Sequence, residues 1–183
     1  MSPRGVLERL ADLERRVRHV YLSLGDHAAF SAEVRFFWNC MAEDERHHLA
    51  ILERSAGLLD LMPSPPQVSE ERLKRIEEIV TAAETAIRQP EIRSDDAFRH
   101  ALNLEGSELN SLDEAWFQGF RPTLRLLLQA MTPEEEIHVR RLVEAIHTFS
   151  TDKALHEQAA MLWTTYQQQH SGTFKMPPAT WRE

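Results

Sequence analysis

Residues 45–48 read Glu45-Arg46-His47-His48 and residues 135–138 read Glu135-Glu136-Ile137-His138, so the motif Glu-x-x-His occurs twice in this chain. A further glutamate precedes each motif at almost the same distance. Glu14 lies 31 positions before Glu45, and Glu105 lies 30 positions before Glu135. A repeat of this kind indicates two similar halves. Each half has one glutamate on its first element and Glu-x-x-His on its second.

The residues around these motifs have helical periodicity, because apolar side chains recur every three or four positions. The pattern predicts helix A (6–24), helix B (29–61), a crossover helix (69–88), helix C (94–117), helix D (123–149) and a final helix (152–170). We therefore predict an all-α, ferritin-like antiparallel four-helix bundle. A long helical crossover at about 63–93 joins the second and third bundle helices, and an extra helix lies at the C-terminus. The predicted domain spans 1–170, and residues 171–183 are expected to be a poorly ordered tail.

Composition narrows the classes of function. The formal net charge of −8 argues against nucleic acid and against anionic membrane surfaces as partners. Cys40 is the only cysteine, which excludes an internal disulfide framework and an iron centre built from four thiolates. The chain contains no run of about 18 apolar residues, and its charged N-terminal segment does not resemble a signal peptide. We expect a cytoplasmic protein.

Helix geometry predicts that the four glutamates of the repeat meet. Each lies 14 to 17 residues from the turn of its hairpin, so they should lie within about 3–5 Å of one level. Glu and His three positions apart share one helical face and can bind the same ion. Four buried carboxylates need neutralising, and two divalent cations would supply the charge. Without metal these carboxylates should repel one another, which raises their pKa. Oxygen-rich ligation with imidazole favours Fe or Mn over structural zinc.

This arrangement resembles the ferritin-like di-iron carboxylate proteins, and within them the rubrerythrin-like branch. The branch has a further carboxylate one turn after the third-helix glutamate, which Glu105-Gly106-Ser107-Glu108 supplies, and a tyrosine seven positions after the first, as Tyr21 follows Glu14. The resemblance implies terminal ligands Glu14 and Glu105, bridging ligands Glu45 and Glu135, and imidazole ligands His48 and His138. It also implies two catalytic side chains: Glu108, exchanging as an additional ligand, and Tyr21, just outside the ligands.

The resemblance also implies a function. Two Fe ions, or Mn or a mixed Fe/Mn pair, would reduce hydrogen peroxide to water. The electrons would come from a separate donor protein, since one cysteine cannot build a rubredoxin-type centre. A homodimer is the expected assembly. The alternatives are a ferroxidase or iron-handling protein, a di-iron oxygenase or hydroxylase that uses dioxygen, and a metal-binding structural protein without turnover.

Several residues have a second interpretation. Thr132-Pro133-Glu134-Glu135 is also a capping box, and Glu135 cannot both cap a helix and bind metal. Asp44 and His47 form an alternative ligand pair one residue before Glu45 and His48. Glu108 could instead face solvent, and Tyr21 could be an ordinary core residue.

Overall fold

The computed structural model describes residues 2–57, 59, 68–107 and 133–170, except for the side chains of 55, 56, 133–135, 169 and 170. The described residues are helical and include no strand, which confirms the all-α prediction. The helices are α1 (Pro3–Gly25), α2 (Ala32–Ala56), α3 (Glu70–Ile87), α4 (Ser94–Glu105), α5 (Pro133–Phe149) and α6 (Lys153–His170). In the described part of the chain, no helix combines the length and apolar character needed to cross a membrane.

Side chains just before the helices satisfy their first backbone N–H groups. Ser2 accepts a hydrogen bond from Gly5 N at the start of α1, and Ser69 accepts one from Arg72 N at the start of α3. Asp152 does the same for α6, where its Oδ1 accepts from the N–H of Ala154. Caps of this kind each stabilise a helix by about 1 kcal/mol.

The first two helices run antiparallel, and α3 then returns along α1. Arg15 of α1 lies near Glu53 of α2, whereas Tyr21, further along α1, stacks on the earlier Trp38. Between α1 and α3 the order is the opposite. Arg9 pairs with Glu77 and Arg16 with Glu84, seven positions later on both helices. Helices α1 and α3 are therefore parallel.

The same reasoning gives the directions of the remaining helices. Trp38 of α2 contacts Phe98 of α4, and one heptad later Glu45 and Glu105 meet at one histidine of α5, so α2 and α4 run parallel. Helix α5 runs antiparallel to α2, because Asp44 of α2 contacts His138, whereas the earlier residues 32–40 of α2 line a groove with the later residues 141–149 of α5. Helix α6 turns back along α5 after a short connection at residues 150–152.

Two helices end earlier than the periodicity predicts. Helix α2 ends at Ala56 rather than 61, followed by Gly57, and α4 ends at Glu105 rather than 117. Glycine is a poor helix former, and at Gly106 the chain turns so tightly that a Cβ would lie 2.8 Å from the carbonyl oxygen of Leu102. The prediction of one continuous helix from 94 to 117 is therefore wrong. Residues 108–132 lie outside the described residues.

Aromatic side chains fill the core next to Glu45 and Glu105.

 

These aromatic side chains are Tyr21, Phe37, Trp38 and Phe98, all of which are buried. Trp38 and Phe98 are fully enclosed, with ring centroids 5.1 Å apart, and Trp38 also packs on Phe37 at 4.6 Å. Phe36 differs, because 71% of it is exposed. The aromatic cluster holds α1, α2 and α4 together next to Glu45 and Glu105, so it fixes the helices that supply those side chains.

Candidate metal centre

One group of possible metal donors joins α1 to α2. Glu14, Glu45 and His48 each offer one ligand atom, and these atoms all lie within 4.8 Å of one another. His48 Nδ1 is 3.2 Å from Glu45 Oε2, as expected for residues three positions apart on one helix. Glu14 and Glu45 are buried, and 14% of the His48 side chain is exposed. This group could hold a metal ion.

A second group joins α2 to α4 and α5. It consists of Glu45, Glu105 and His138, again with ligand atoms within 4.8 Å of one another, and all three residues are buried. His138 Nε2 lies 3.2 Å from Glu45 Oε1 and 3.0 Å from Glu105 Oε1. The rings of His138 and His48 meet edge to face, with centroids 5.4 Å apart. This group could hold a second ion.

Glu45 belongs to both groups and presents a different oxygen to each. Its Oε2 faces His48 and its Oε1 faces His138. A carboxylate with its two oxygens directed at two donor groups is in the position of a bridge between two ions. The two groups are therefore halves of one candidate centre, built by four helices.

The orientation of His138 comes from an acidic residue that sequence reasoning weighed only as an alternative ligand. Asp44 Oδ2 lies 3.2 Å from His138 Nδ1 and is also ion-paired with Arg141, one turn after His138 on α5. Such a carboxylate holds an imidazole ring in place and directs its other nitrogen at the site. His47, in contrast, is 37% exposed and lies near Glu43. It is Glu45 and His48, not Asp44 and His47, that gather with Glu14.

The sequence analysis did not identify Arg141 as the second partner of Asp44. Its position three residues after His138 places it on the same face of α5, which is a usable signal. Its partner could not be found from sequence, because the pairing depends on how α5 lies against α2.

Tyr21 contacts the centre through Glu105. Its hydroxyl donates a 2.5 Å hydrogen bond to Glu105 Oε1, and both residues are buried. The tyrosine ring is stacked on Trp38, with centroids 5.7 Å apart and planes 17° apart. Tyr21 is thus a core residue that also holds a donor carboxylate.

The charges of the centre balance through its histidines. Burial disfavours the charged form of Glu45, but the charge of His48 and the contacts with His138 hold the pKa of this carboxyl well below its ordinary value. Burial likewise opposes a charged His138, yet the negative charge of Glu105 and the contact with Asp44 raise the pKa of its imidazole well above its ordinary value. Burial and the charge of Glu105 raise the pKa of Tyr21 well above 10, so its hydroxyl stays a donor.

The expectation that clustered carboxylates take up protons and have raised pKa values is therefore wrong for Glu45. The physical reason is that two imidazoles lie 3.2 Å from its oxygens and provide the compensating positive charge.

The geometry around His138 Nε2 fits a bound cation. This nitrogen is buried and faces two carboxylate oxygens, yet it makes no hydrogen bond of proper geometry within the described part of the chain. Nitrogen and oxygen donors that lie within 4.8 Å of one another can bind an ion, which would then replace the imidazole proton as the compensating positive charge. A divalent ion of the kind that accepts both imidazole and carboxylate fits these donors.

Two of the residues expected at the site fall outside this description. Glu135 lies in the first turn of α5, and its side chain, which the capping and ligation predictions concern, lies outside the described ones. Glu108 lies outside the described residues.

Comparison with known proteins adds no relative. No protein-family model, curated protein or solved structure matches this chain.

Proposed function

We propose that this protein is a di-iron carboxylate protein of the ferritin-like, rubrerythrin-like kind, which reduces hydrogen peroxide to water with electrons from a separate donor protein. The observation that supports a two-ion centre is the position of Glu45, whose two oxygens face two separate donor groups. A single ion held by one group would leave the buried donors of the other group without a cation.

The helix directions support the ferritin-like part of the proposal. Helices α1 and α2 are antiparallel, α2 and α4 are parallel, and α2 and α5 are antiparallel, with α3 returning along α1 between them. Two antiparallel hairpins joined by one long crossover have these directions. In this arrangement α1, α2, α4 and α5 form the bundle, and α6 is the additional helix.

The donor set supports iron, with manganese or a mixed pair as the other choices. Carboxylates outnumber imidazoles among the described donors, and carboxylates suit Fe and Mn better than they suit a structural zinc ion. When bound, such ions supply electrons to an oxidant and recover them from a donor.

The side chains of the protein would hold the ions and keep bulk water away from them. Glu14 and His48 would hold one ion, Glu105 and His138 the other, and Glu45 both. Asp44 fixes the ring of His138, and Tyr21 holds Glu105 by its hydrogen bond. Because the ligand side chains are at most 14% exposed, bulk water is largely excluded.

Burial of the donors favours a small oxidant over a large organic substrate. In the part of the chain that the structure describes, the surface grooves along α3 and between α2 and α5 contain none of the donor residues. Hydrogen peroxide and dioxygen have two heavy atoms each and fit a buried site, whereas a hydroxylase substrate needs an open cavity beside the donors.

Stopped-flow oxidation of the anaerobic, iron-loaded, reduced protein tests this function. We expect the reduced centre to react faster with hydrogen peroxide than with dioxygen. Glu108→Ala should slow the peroxide reaction while the protein keeps its metal, and Glu53→Ala, at a 59% exposed position on α2, serves as the control. If dioxygen is the faster oxidant, a ferroxidase or oxygenase replaces the peroxidase-like proposal.

A further inference from the structure

A second pair of histidines lies at the corner where α5 turns into α6. His147 is exposed in the last turn of α5, and His156 is half-buried in the first turn of α6. Their ring centroids are 4.6 Å apart, and the ring planes are inclined at 58°. The two imidazoles are nine positions apart in sequence, and the turn between α5 and α6 brings them together.

The ring of His156 is oriented by the backbone of the corner. Its Nε2 lies 2.9 Å from the carbonyl oxygen of Ser150, so this nitrogen bears the proton and donates it. Nδ1 is then the nitrogen with the free lone pair. Histidines that bind metal almost always donate their other ring N–H to a carbonyl, a carboxylate or water in this way.

The corner itself is held in place on both sides. Ser150 Oγ accepts a hydrogen bond from the N–H of Asp152, and Asp152 caps α6 and is ion-paired with Arg99 of α4. A ligand that binds to a rigid corner orders few additional side chains, which lowers the entropic cost of binding. The carboxyl end of α5 also favours a positive charge near His147, because the last carbonyl groups of a helix point that way.

We propose that His147 and His156 form a further metal site, which takes a divalent ion that prefers imidazole, such as Zn²⁺, Cu²⁺ or Ni²⁺, with water as the remaining ligands. Imidazole selects these ions over Ca²⁺ and Mg²⁺, which require oxygen donors. The site is separate from the buried centre. His147 follows His138 by nine residues, which is about 13.5 Å along α5. The proposal does not depend on the proposed function.

Titration of the full-length protein with Zn²⁺ by calorimetry tests the site, with His147→Ala as the main variant. His147 is exposed, so its removal should leave folding intact, which a melting curve verifies. We expect the wild type to bind one Zn²⁺ per chain more than the variant does, or to bind that ion roughly 100-fold more tightly, because the second imidazole acts at high effective concentration. The comparison is independent of how the buried centre is filled, because the two chains differ only at this residue.

Two further measurements separate the site from simple surface binding. His156→Ala should cause the same loss as His147→Ala, whereas His19→Ala, which removes an exposed imidazole on α1, should behave as wild type. Electron paramagnetic resonance of bound Cu²⁺ should show two imidazole nitrogens in the wild type and fewer in either variant of the pair. Equal binding by the wild type and His147→Ala contradicts the proposal, and so does a Zn²⁺-dependent doubling of mass in sedimentation, which would place the ion between two chains.

Discussion

Asp44 connects two helices at the level of the donor groups. Asp44 lies on α2 directly before Glu45, and its carboxylate contacts both His138 and Arg141 of α5. The negative charge keeps the proton of His138 on Nδ1 and leaves Nε2 directed at Glu45 and Glu105. Asp44 is therefore a positioning residue for the second donor group.

We predict that Asp44→Asn weakens metal binding by roughly 10- to 100-fold, the range typical of lost partners of metal-binding histidines. The amide has nearly the shape of the carboxylate, but it removes the charge that orients the ring. Asp12→Asn is the control, because the Asp12 side chain is 60% exposed on α1. Competition with a chromophoric chelator measures the affinity, and equal affinities for the two variants would contradict the role of Asp44.

Tyr21 is the second residue whose effect can be measured by itself. We predict that Tyr21→Phe lowers the free energy of unfolding by about 1.5–3 kcal/mol, because the charged, buried carboxylate of Glu105 loses the hydrogen bond that the Tyr21 hydroxyl donates to it. Urea unfolding of the variant and of the wild type measures the difference, and a variant as stable as the wild type would refute the prediction.

Helices α1 and α3 are joined by two charged pairs of the same geometry. Arg9 donates two hydrogen bonds to Glu77, at 2.6 and 2.7 Å, and Arg16 donates two to Glu84, at 2.9 and 2.8 Å. The hydrogen bonds from these arginines hold the pKa of both carboxyl groups below the ordinary value of 4.5. Because all four side chains are about a quarter to a third exposed or less, each pair should stabilise the fold by about 1 kcal/mol at most.

This contribution depends on pH with a definite sign. A carboxyl whose folded pKa is lowered stabilises the protein above pH 4.5, and the stabilisation is lost as the pH falls through the lowered value. We predict that Glu77→Gln/Glu84→Gln destabilises the protein at pH 7, and that its difference from wild type shrinks below about pH 4. Glu71→Gln/Glu78→Gln, at exposed positions of the same helix, is the control. Urea unfolding between pH 3 and 7 measures both, and a difference independent of pH would be inconsistent with the pairs.

At the scale of elements, the sequence predicts which helices exist better than where they end. Apolar periodicity reports burial over several turns, so it identified α1 to α6. The end of α4 depends instead on one local feature, the tight turn at Gly106, which periodicity does not contain. The same limit applies to the candidate site. The positions of Glu45 and His48 follow from spacing within one helix, but the contact of Asp44 with His138 depends on the register between two helices.

At the scale of the whole molecule, the two donor groups tie four helices together. Glu14, Glu45, Glu105 and His138 come from α1, α2, α4 and α5, so ions bound in the two groups would hold these helices against one another. An ion that binds the folded state alone stabilises it by about 2.7 kcal/mol when its free concentration is 100 times its dissociation constant.

We therefore predict that chelation lowers the melting temperature by roughly 5–10 °C, since 1 kcal/mol corresponds to about 2–4 °C for a chain of this size. Glu45→Ala should melt at the same temperature with and without the chelator, because it lacks the shared donor. Scanning calorimetry measures the shift. An unchanged melting temperature for the chelated wild type would show that metal does not stabilise the fold.

The shared position of Glu45 is most directly tested by elemental analysis of purified protein. We predict two iron or manganese ions per chain in the wild type, the loss of both in Glu45→Ala, and two ions again in Glu53→Ala, which alters an exposed glutamate two turns further along α2. One ion per chain in the wild type, or two ions retained in Glu45→Ala, would contradict the bridging role of Glu45.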